Sequence, residues 1–296
     1  MNSLYSQAET EYRRQIERAL DRFLPSRTGD VLTESMRYSL LAGGKRLRPI
    51  MTLAWCRLCG QDQEVALPAA VAVEMVHTYS LIHDDLPCMD DDVLRRGYPS
   101  NHVVYGEWTA LLAGSGLYNR AIEVLVDGGK HVGLSELQIL DSVRILCSAA
   151  GTDGILTGQV LDMVNNGSTL VDADYLERVN EKKTASMLCA ACLLGCIAAG
   201  ADSVVTEASV QYGRLVGLAF QMRDDILDIQ STAADLGKTP GKDEREQKVT
   251  FARLWGIERT QKEIVRLSRE ADAVLSKFPD SGFLRWLTAR LCERNR

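Results

Sequence analysis

The stretch ALPAAVAVEMVHTYSLIHDD occupies residues 66–85 and is apolar on nearly every side. A helix with this pattern buries its whole circumference, so it belongs in the centre of a large helical protein. Residues 175–200 and 204–228 have the same character. No stretch alternates apolar and polar residues over several positions, as a half-buried strand would. The sequence therefore predicts an all-α fold, and because no low-complexity linker divides the chain, a single domain over residues 1–296.

The composition limits which partners the chain can have. Of its 296 residues, 46% are hydrophobic, which is enough to bury a large core. A net charge of −6 argues against a nucleic-acid partner and against binding to an anionic membrane surface. The N-terminus lacks the basic and apolar parts of a secretory signal, and the uncharged run 185–201 is short for a membrane span. We therefore expect a cytoplasmic protein without a membrane-spanning helix.

The eight cysteines are expected to be reduced thiols in that compartment. Cys56 and Cys59 form a C-x2-C pair, and Cys189, Cys192 and Cys196 form a triplet. Either group could be part of a metal site. The triplet, however, has helical spacing inside an apolar run, which favours cysteines that pack as small buried side chains.

Two aspartate clusters stand out because each follows directly after an apolar helix. Asp84 and Asp85 end the helix quoted above, and Asp224 and Asp225 end another. The C-terminal end of a helix carries partial negative charge, so clustered carboxylates are costly there unless a cation compensates them. We interpret both clusters as cation sites; the alternative is a solvated acidic surface.

The spacing within the clusters suits Mg²⁺. Asp224 and Asp228 are four residues apart and share one helix face. Asp84 and Asp90 are six apart, which is wrong for one face of an ideal helix, but Pro87 interrupts the helix between them. Mg²⁺ prefers such carboxylate oxygens and takes further ligands from water and phosphate.

Basic segments accompany the acids in this acidic chain. They are GGKRLRP at 43–49, RRG at 95–97, KKT at 182–184, and the lysines Lys238, Lys242 and Lys248. Arginine makes forked contacts to phosphate, and lysine contributes a point charge. Each segment alone is more often solvated surface. Combined with the acid clusters, they predict one magnesium-bridged site for a diphosphate.

Together and in this order, the motifs resemble those of the trans-isoprenyl diphosphate synthases, and their spacing is most similar to that of the bacterial farnesyl diphosphate synthases (geranyltranstransferases). The resemblance rests on GGKRLRP at 43–49, HDDLPCMDDD at 83–92, LRRG at 94–97, GQ at 158–159 with Asp162, KT at 183–184 and FQMRDDILD at 220–228. It covers nearly the whole chain. It implies a single helical bundle around a deep central cavity and, in most members, a homodimer.

The resemblance also implies a metal centre and a reaction. Three Mg²⁺ ions, for which Mn²⁺ can substitute, would hold an allylic diphosphate between the two acid clusters. The implied ligands are Asp84, Asp90 and Asp224, with Asp85 and Asp228 as further ligands or supporting residues. Isopentenyl diphosphate would be condensed with dimethylallyl diphosphate and then with geranyl diphosphate.

The remaining implied residues divide between the substrates. The allylic diphosphate would be held by Arg95, Lys183, Lys238 and Lys248. Isopentenyl diphosphate would be held by Gly44, Lys45, Arg48, His77 and Arg96. The allylic cation left by ionisation would face the main-chain carbonyl of Lys183 and the side chains of Thr184 and Gln221. The isopentenyl alkene would attack it, and the released diphosphate would take the proton.

Product length is expected to depend on residues one helical turn before the first aspartates. Tyr79 and Ser80 lie five and four residues before Asp84. The family uses these positions as the floor of the cavity, and a bulky tyrosine there favours farnesyl diphosphate. An ordinary core tyrosine is the alternative, and geranyl or geranylgeranyl diphosphate are the alternative products.

One departure from the family pattern keeps other functions open. Relatives read AGDAL where this chain has AGSGL at 113–117, and Gly116 is expected to loosen that helix. A non-catalytic partner subunit is therefore one rival interpretation. The other is a metal phosphohydrolase that uses a His83–Asp84 dyad, although the chain contains only four histidines.

Overall fold

The computed structural model describes residues 2–165, 171–230 and 248–293. The regular structure of the described residues is helical apart from two two-residue strands, so the predicted all-α fold is confirmed. The helices, numbered in chain order, are α1 Asn2–Phe23, α2 Val31–Leu40, α3 Leu47–Leu58, α4 Leu67–Asp84, α5 Asn101–Tyr105, α6 Glu107–Glu123, α7 Gly129–His131, α8 Glu136–Ala150, α9 Ile155–Asn165, α10 Ala173–Asn180, α11 Ser186–Ala198, α12 Ser203–Gln230, α13 Phe251–Trp255, α14 Ile257–Leu275 and α15 Gly282–Glu293. A 3₁₀ turn, Gln63–Ala66, precedes α4, and π-helical turns, Val124–Gly128 and Glu181–Ala185, precede α7 and α11.

The chain divides into two compact units. The first comprises Met1–Ile145 and Leu194–Ala201, and the second comprises Leu146–Leu193 and Asp202–Arg296. The single domain over residues 1–296 stays a prediction.

In the first unit, α4 lies among α1, α2, α3 and α6. Pro68 occupies its first turn, where a missing N–H costs no helical hydrogen bond. Residues 69–76 are all buried, as the all-round apolar pattern predicts. The one charged side chain in that run is Glu74, which is 1% exposed. The stretch Gln63–Asp84 is long and apolar enough to cross a membrane by length and composition alone, yet 78% of its most apolar window is buried inside the protein.

A short β-hairpin follows α4, and the sequence analysis did not predict it. Leu94–Arg95 (β1) pairs antiparallel with Tyr98–Pro99 (β2). Arg96 and Gly97 form the turn with φ of +55° and +82°. Positive φ at both turn residues matches the right-handed twist of a two-residue hairpin. Two residues per strand are too few to give an alternating pattern.

In the second unit, glycines let helices approach within backbone contact. Gly213 and Gly217 lie one turn apart on α12. A Cβ atom added at Gly213 would be 2.7 Å from Cα of Cys189, and one added at Gly217 would be 2.7 Å from Cα of Ala185. On α9, a Cβ added at Gly158 would overlap the main chain of Lys183. The segment that carries Lys183 is therefore held between α9 and α12 by glycines.

Candidate active site

The loop after α4 folds back onto the end of the helix. The Asp90 N–H donates to the Asp84 carbonyl oxygen at 2.8 Å, and the Asp92 N–H donates to the Asp85 carbonyl oxygen at 3.2 Å. These bonds satisfy carbonyls that the end of a helix leaves unpaired. The helix ends three residues before Pro87. Asp84 and Asp90, both half-buried, are therefore brought together by the closing turn.

Asp85 is directed at an arginine. Arg95 Nε donates to Asp85 Oδ1 at 2.9 Å and to Oδ2 at 3.2 Å, and its Nη2 also donates to the same carboxylate. Asp92 Oδ2 lies 3.5 Å from the same Arg95 Nη2. Both carboxylates are buried. The pKa of Asp85 is raised above its ordinary value, because the effect of burial exceeds the opposing effect of the hydrogen bond from Arg95. Asp85, predicted as a metal ligand, is thus paired with Arg95, and Asp92 is a buried acid that the sequence analysis missed.

The two consecutive arginines of the hairpin, Arg95 at the end of β1 and Arg96 in the turn, contact different partners. Arg96 Nη1 donates to the Gly43 carbonyl oxygen at 2.5 Å, and its Nη2 lies 3.5 Å from Glu74. Gly44 has a φ of +122°, and a Cβ there would lie 2.9 Å from Cζ of Arg96. Position 44 therefore requires glycine, because the Arg96 guanidinium lies against its backbone.

Arg46 is a structural residue in the middle of a basic motif. Its side chain is fully buried and donates to Glu74 at 2.7 Å, to Glu17 at 2.7 Å and to the Leu40 carbonyl oxygen at 2.8 Å. Its φ of +51° is unusual for a residue with a side chain. Glu74, an acid in the middle of the apolar run of α4, is the sequence signal that could have identified this pair.

Arg48 and His77 form an electropositive site in the same unit. Nε of Arg48 is buried and has no hydrogen-bond partner among the described residues. Burial lowers the pKa of Arg48 to about 10, with a further contribution from Arg96. Burial, followed by Arg48 and Arg96, lowers the pKa of His77 well below its usual range, so the imidazole is neutral. Lys45 is exposed. A buried guanidinium nitrogen that lacks an acceptor fits an anion such as a phosphate.

His83 is held by main chain rather than presented as a metal ligand. Its Nε2 lies 3.0 Å from the Leu111 carbonyl oxygen, and a Cβ at Gly114 would overlap the ring. The Tyr79 ring meets His83 edge-on at 5.2 Å between centroids. With Nε2 engaged in this way, the His83–Asp84 phosphohydrolase interpretation is not supported.

The residues predicted to set product length are buried. Tyr79 is 8% exposed and lies 5.5 Å from the Tyr118 ring of α6, between centroids. Ser80 Oγ donates to the His77 carbonyl oxygen at 2.9 Å. The adjacent departure at Gly116 does not interrupt α6, which runs through it. A Cβ at Gly116 would lie 2.9 Å from Sδ of Met36, so that side chain fills the space.

In the second unit, one buried carboxylate joins two lysines. Asp162 accepts from Lys183 Nζ at 2.5 Å, and Lys248 Nζ lies 2.6 Å from its Oδ1. Burial alone would raise the pKa of Asp162, but the two ammonium groups hold it at about 2. Lys183 and Lys248, predicted to bind one substrate, are thus brought together. Lys238 lies outside the described residues.

A hydrogen-bonded chain orients the predicted catalytic side chains. Thr184 Oγ1 donates to Gln221 Oε1 at 3.0 Å, Gln221 Nε2 donates to Asp225 at 3.1 Å, and the Phe251 N–H donates to Asp225 at 3.1 Å. Because the Thr184 hydroxyl is used as a donor, its oxygen lone pairs remain to accept positive charge. Asp225, which was not among the predicted metal ligands, orients this chain.

Asp224 and Asp228 are half-buried on the last turns of α12, one turn apart as the spacing predicts. No group of three His, Cys, Asp or Glu side chains suited to a metal ion occurs among the residues that the structure describes. A Mg²⁺ ion held by these aspartates would therefore take its remaining oxygens from water or from a phosphate group.

Gln159 is a residue that the sequence analysis did not assign. It lies on α9 between Gly158 and Asp162, is 7% exposed, and neither atom of its carboxamide has a partner in the described part of the chain. Buried polar atoms without partners are rare, so this side chain suits a bound molecule. Its position beside Asp162 is the signal that could have found it.

Comparison with known proteins agrees with this chemistry. The polyprenyl synthetase family model matches residues 29–276. A geranylgeranyl pyrophosphate synthase of Capsicum annuum is 44% identical over 91% of this chain and 72% of its own, and the large subunit 1 of a heterodimeric geranylgeranyl pyrophosphate synthase of Arabidopsis thaliana is 44% identical over 86% and 70%.

Solved structures show the same fold. An FPP/GFPP synthase of Zymomonas mobilis has a TM-score of 0.87 at 32% identity, covering 97% of this chain and 98% of its own. A geranyltransferase of Helicobacter pylori, complexed with magnesium and isoprenyl diphosphate, has a TM-score of 0.81 at 30% identity, covering 96% of each chain. The protein is a prenyltransferase that belongs to the polyprenyl synthetase family.

Proposed function

We propose that this protein condenses isopentenyl diphosphate with an allylic diphosphate in a Mg²⁺-dependent reaction. The observation that carries the proposal is the closing turn of α4, where the Asp90 N–H donates to the Asp84 carbonyl oxygen and brings the main chains of two half-buried aspartates together. The same unit holds Arg48, whose Nε is buried and has no hydrogen-bond partner among the described residues. Carboxylates that suit a cation and a guanidinium that suits an anion, both in the first unit, fit a metal-bound diphosphate.

The metal is assigned to four aspartates. Asp84 and Asp90 would hold Mg²⁺ in the first unit, and Asp224 and Asp228 would hold it in the second, with three ions in all and Mn²⁺ as a substitute. Bound Mg²⁺ would offset the charge on the departing diphosphate and so favour cleavage of its carbon–oxygen bond. Asp85 would act chiefly by fixing Arg95, with which it pairs.

The remaining residues bind and orient the two substrates. Arg48, His77 and Arg96 would bind isopentenyl diphosphate, with Gly44 and Lys45 at the edge of that site. Arg95 would bind the allylic diphosphate together with three lysines, Lys183, Lys238 and Lys248. Asp162 accepts hydrogen bonds from Lys183 and Lys248 and so holds these two lysines in place. Thr184, whose hydroxyl donates to Gln221, would turn its oxygen toward the developing allylic cation. The departing diphosphate would accept the proton.

For the product, we propose geranylgeranyl diphosphate, because the relatives described above with the highest identity bear that name. Farnesyl diphosphate is the second candidate, and the observation that favours it is the Tyr79 ring, buried one turn before Asp84 and packed against Tyr118. A bulky ring at that position shortens the space available to a growing chain.

Incubation with labelled isopentenyl diphosphate and each allylic primer, followed by sizing of the products, tests both levels of the proposal. A twenty-carbon product is expected. A fifteen-carbon product would transfer the assignment to farnesyl diphosphate, and absence of any condensation product would overturn the reaction itself. The Asp84→Ala and Asp224→Ala variants are expected to lose prenyl transfer. Retention of activity in both would refute the metal assignment.

We also propose that the protein is a homodimer. Val103, Val104, Trp108, Leu111 and Leu112 form an exposed apolar face on α5 and α6, where Trp108 is 69% exposed. Contiguous apolar surface of this kind marks an interface. Light scattering is expected to give twice the chain mass, and Trp108→Glu is expected to shift it toward the monomer. A monomeric wild-type protein would refute the proposal.

A further inference from the structure

The two cysteine motifs of the sequence meet inside the first unit. Cys59 follows the C-terminal end of α3, and Cys196 lies in the last turns of α11. They are 137 residues apart in the chain, yet their Sγ atoms are 4.0 Å apart. One member of the C-x2-C pair therefore touches one member of the triplet, and neither takes part in the chemistry described above.

Backbone packing maintains this proximity. Gly195 precedes Cys196, and a Cβ added to it would overlap the Thr52 carbonyl oxygen and lie 3.1 Å from the Cys56 nitrogen. The end of α11 therefore lies directly against the backbone of α3. Because two backbones rather than two mobile side chains set the separation, the sulfurs stay within reach of each other.

The two cysteines of the C-x2-C pair differ in reactivity. Cys56 is buried, its Sγ donates to the Asp62 carbonyl oxygen at 3.5 Å, and burial raises its pKa to about 12. Its thiolate is therefore not available near neutral pH. Cys59 is only half-buried, whereas Cys196 is fully buried. An external reagent thus reaches Cys59 first, and Cys196 is the thiol in contact with it.

We propose that Cys59 and Cys196 form an oxidisable dithiol that closes to a disulfide on reaction with a low-molecular-weight disulfide such as glutathione disulfide. The Cys59 thiolate attacks one sulfur of the oxidant and releases one glutathione thiolate. The Cys196 thiolate then attacks Cys59 Sγ in the mixed disulfide and releases the second glutathione. Two protein thiols are oxidised, one disulfide is reduced, and the two protons pass to solvent and the glutathione thiolates. The sulfurs must approach by about 2 Å, which side-chain rotation supplies.

The bond would tie the end of α3 to the end of α11. A cross-link between residues this far apart in sequence restricts the unfolded chain strongly, so the oxidised protein is expected to melt at a higher temperature than the reduced protein. This modification site does not depend on the product or the mechanism proposed above.

The test uses the full-length reduced protein. After incubation with glutathione disulfide, alkylation and digestion, mass spectrometry is expected to recover the peptides of Cys59 and Cys196 joined, and a reductant is expected to separate them. Cys196→Ser is expected to accumulate glutathione on Cys59 instead. Cys56→Ala is the matched control and is expected to retain the cross-link.

Two outcomes would overturn the proposal: a wild-type protein that only carries glutathione on Cys59, or a Cys56–Cys59 disulfide in place of the predicted one. A second measurement needs no variant. Phenylarsine oxide bridges paired thiols, so it is expected to protect Cys59 and Cys196 together from alkylation. Unprotected thiols at both positions would contradict the pairing.

Discussion

The main-chain N–H of Asp90 donates to the main-chain carbonyl oxygen of Asp84 at 2.8 Å. This bond lies at the end of α4 and brings together the main chains of two aspartates that an ideal helix would place on different faces. Asp91, which follows, has a φ of +48°, a conformation that costs a residue with a side chain about 1 kcal/mol or more. Among the described residues, three non-glycine positions have positive φ, and all lie in the acidic or basic motifs: Arg46, Asp91 and Arg96.

The paired carboxylates give the first prediction. Asp84→Asn and Asp90→Asn keep the shape of each side chain but remove its charge, so each is expected to lower kcat by about 100-fold or more. Circular dichroism and thermal melting are expected to stay close to wild type. Asp91→Asn is the matched control, an exposed acid of the same loop, and is expected to stay near wild-type activity. Equal losses at all three positions would contradict a specific role for the pair.

The buried acid in the middle of α4 gives a second prediction. Glu74 is 1% exposed and accepts a 2.7 Å hydrogen bond from Arg46, and Arg96 lies nearby. Glu74→Gln removes the buried counter-charge of Arg46, leaves only the half-exposed Glu17, and is expected to lower the free energy of unfolding by about 3 kcal/mol. Glu17→Gln alters the half-exposed partner of Arg46 and is expected to cost about 1 kcal/mol or less. Urea denaturation measures both, and a smaller effect at Glu74 than at Glu17 would contradict this account.

Asp162 gives a prediction about pH. Its pKa in the folded protein, about 2, lies below the ordinary value of 3.8, so the folded state releases the proton more readily than the unfolded state. Stability from this group is therefore present above pH 3.8 and lost as the pH falls toward 2, in total about 2 kcal/mol. Asp162→Asn is expected to remove that part of the acid dependence. Asp272→Asn, in an exposed pair with Arg285, is the control. An unchanged acid profile in Asp162→Asn would refute the assignment.

Gln159 is expected to lower the stability of the free protein and to contribute to substrate binding. Gln159→Leu removes two buried polar atoms that lack partners in the described structure, so the free energy of unfolding is expected to stay level or rise by about 1 kcal/mol. If the carboxamide serves a bound substrate, kcat/KM falls in the same variant. Asn165→Leu, which loses the hydrogen bond from Asn165 Nδ2 to the Val249 carbonyl, is expected to be destabilised instead. Full activity in Gln159→Leu would show that the amide has no part in the reaction.

Tyr79 is expected to limit the product. Tyr79→Ala removes the ring one turn before Asp84 and is expected to lengthen the product by at least one five-carbon unit, whichever product the wild type makes. Tyr118→Phe keeps the neighbouring ring and is expected to leave the length unchanged. Chromatography of the dephosphorylated products distinguishes the two. An unaltered product in Tyr79→Ala would make Tyr79 an ordinary core residue.

Several features of this protein could be predicted because they are local in sequence. The apolar pattern on all sides of residues 66–85 predicts a buried helix. The four-residue spacing of Asp224 and Asp228 places them on one helix face. The reaction class was implied by the resemblance of several such motifs, in their order, to those of a known family. A hairpin with two residues per strand has no comparable signal, and it was missed.

The partner of each charged or thiol side chain could not be predicted from neighbouring residues, and only the tertiary structure decided it. Within GGKRLRP, nothing in the sequence distinguishes Arg46, which is buried on Glu74, from Arg48, whose Nε has no partner in the described chain. Lys248 meets Asp162 across 86 residues, and Cys59 meets Cys196 across 137.

The physical reason is that helix periodicity depends on neighbouring residues, whereas the partner of a side chain depends on residues far apart in the sequence. A helix repeats every 3.6 residues, so its faces can be read from neighbouring positions. A charge or thiol acquires its partner when distant helices pack, and that depends on close approaches such as those at Gly158 and Gly195. The sequence alone determined the helices and the kind of chemistry, whereas packing determined which acid pairs with which base.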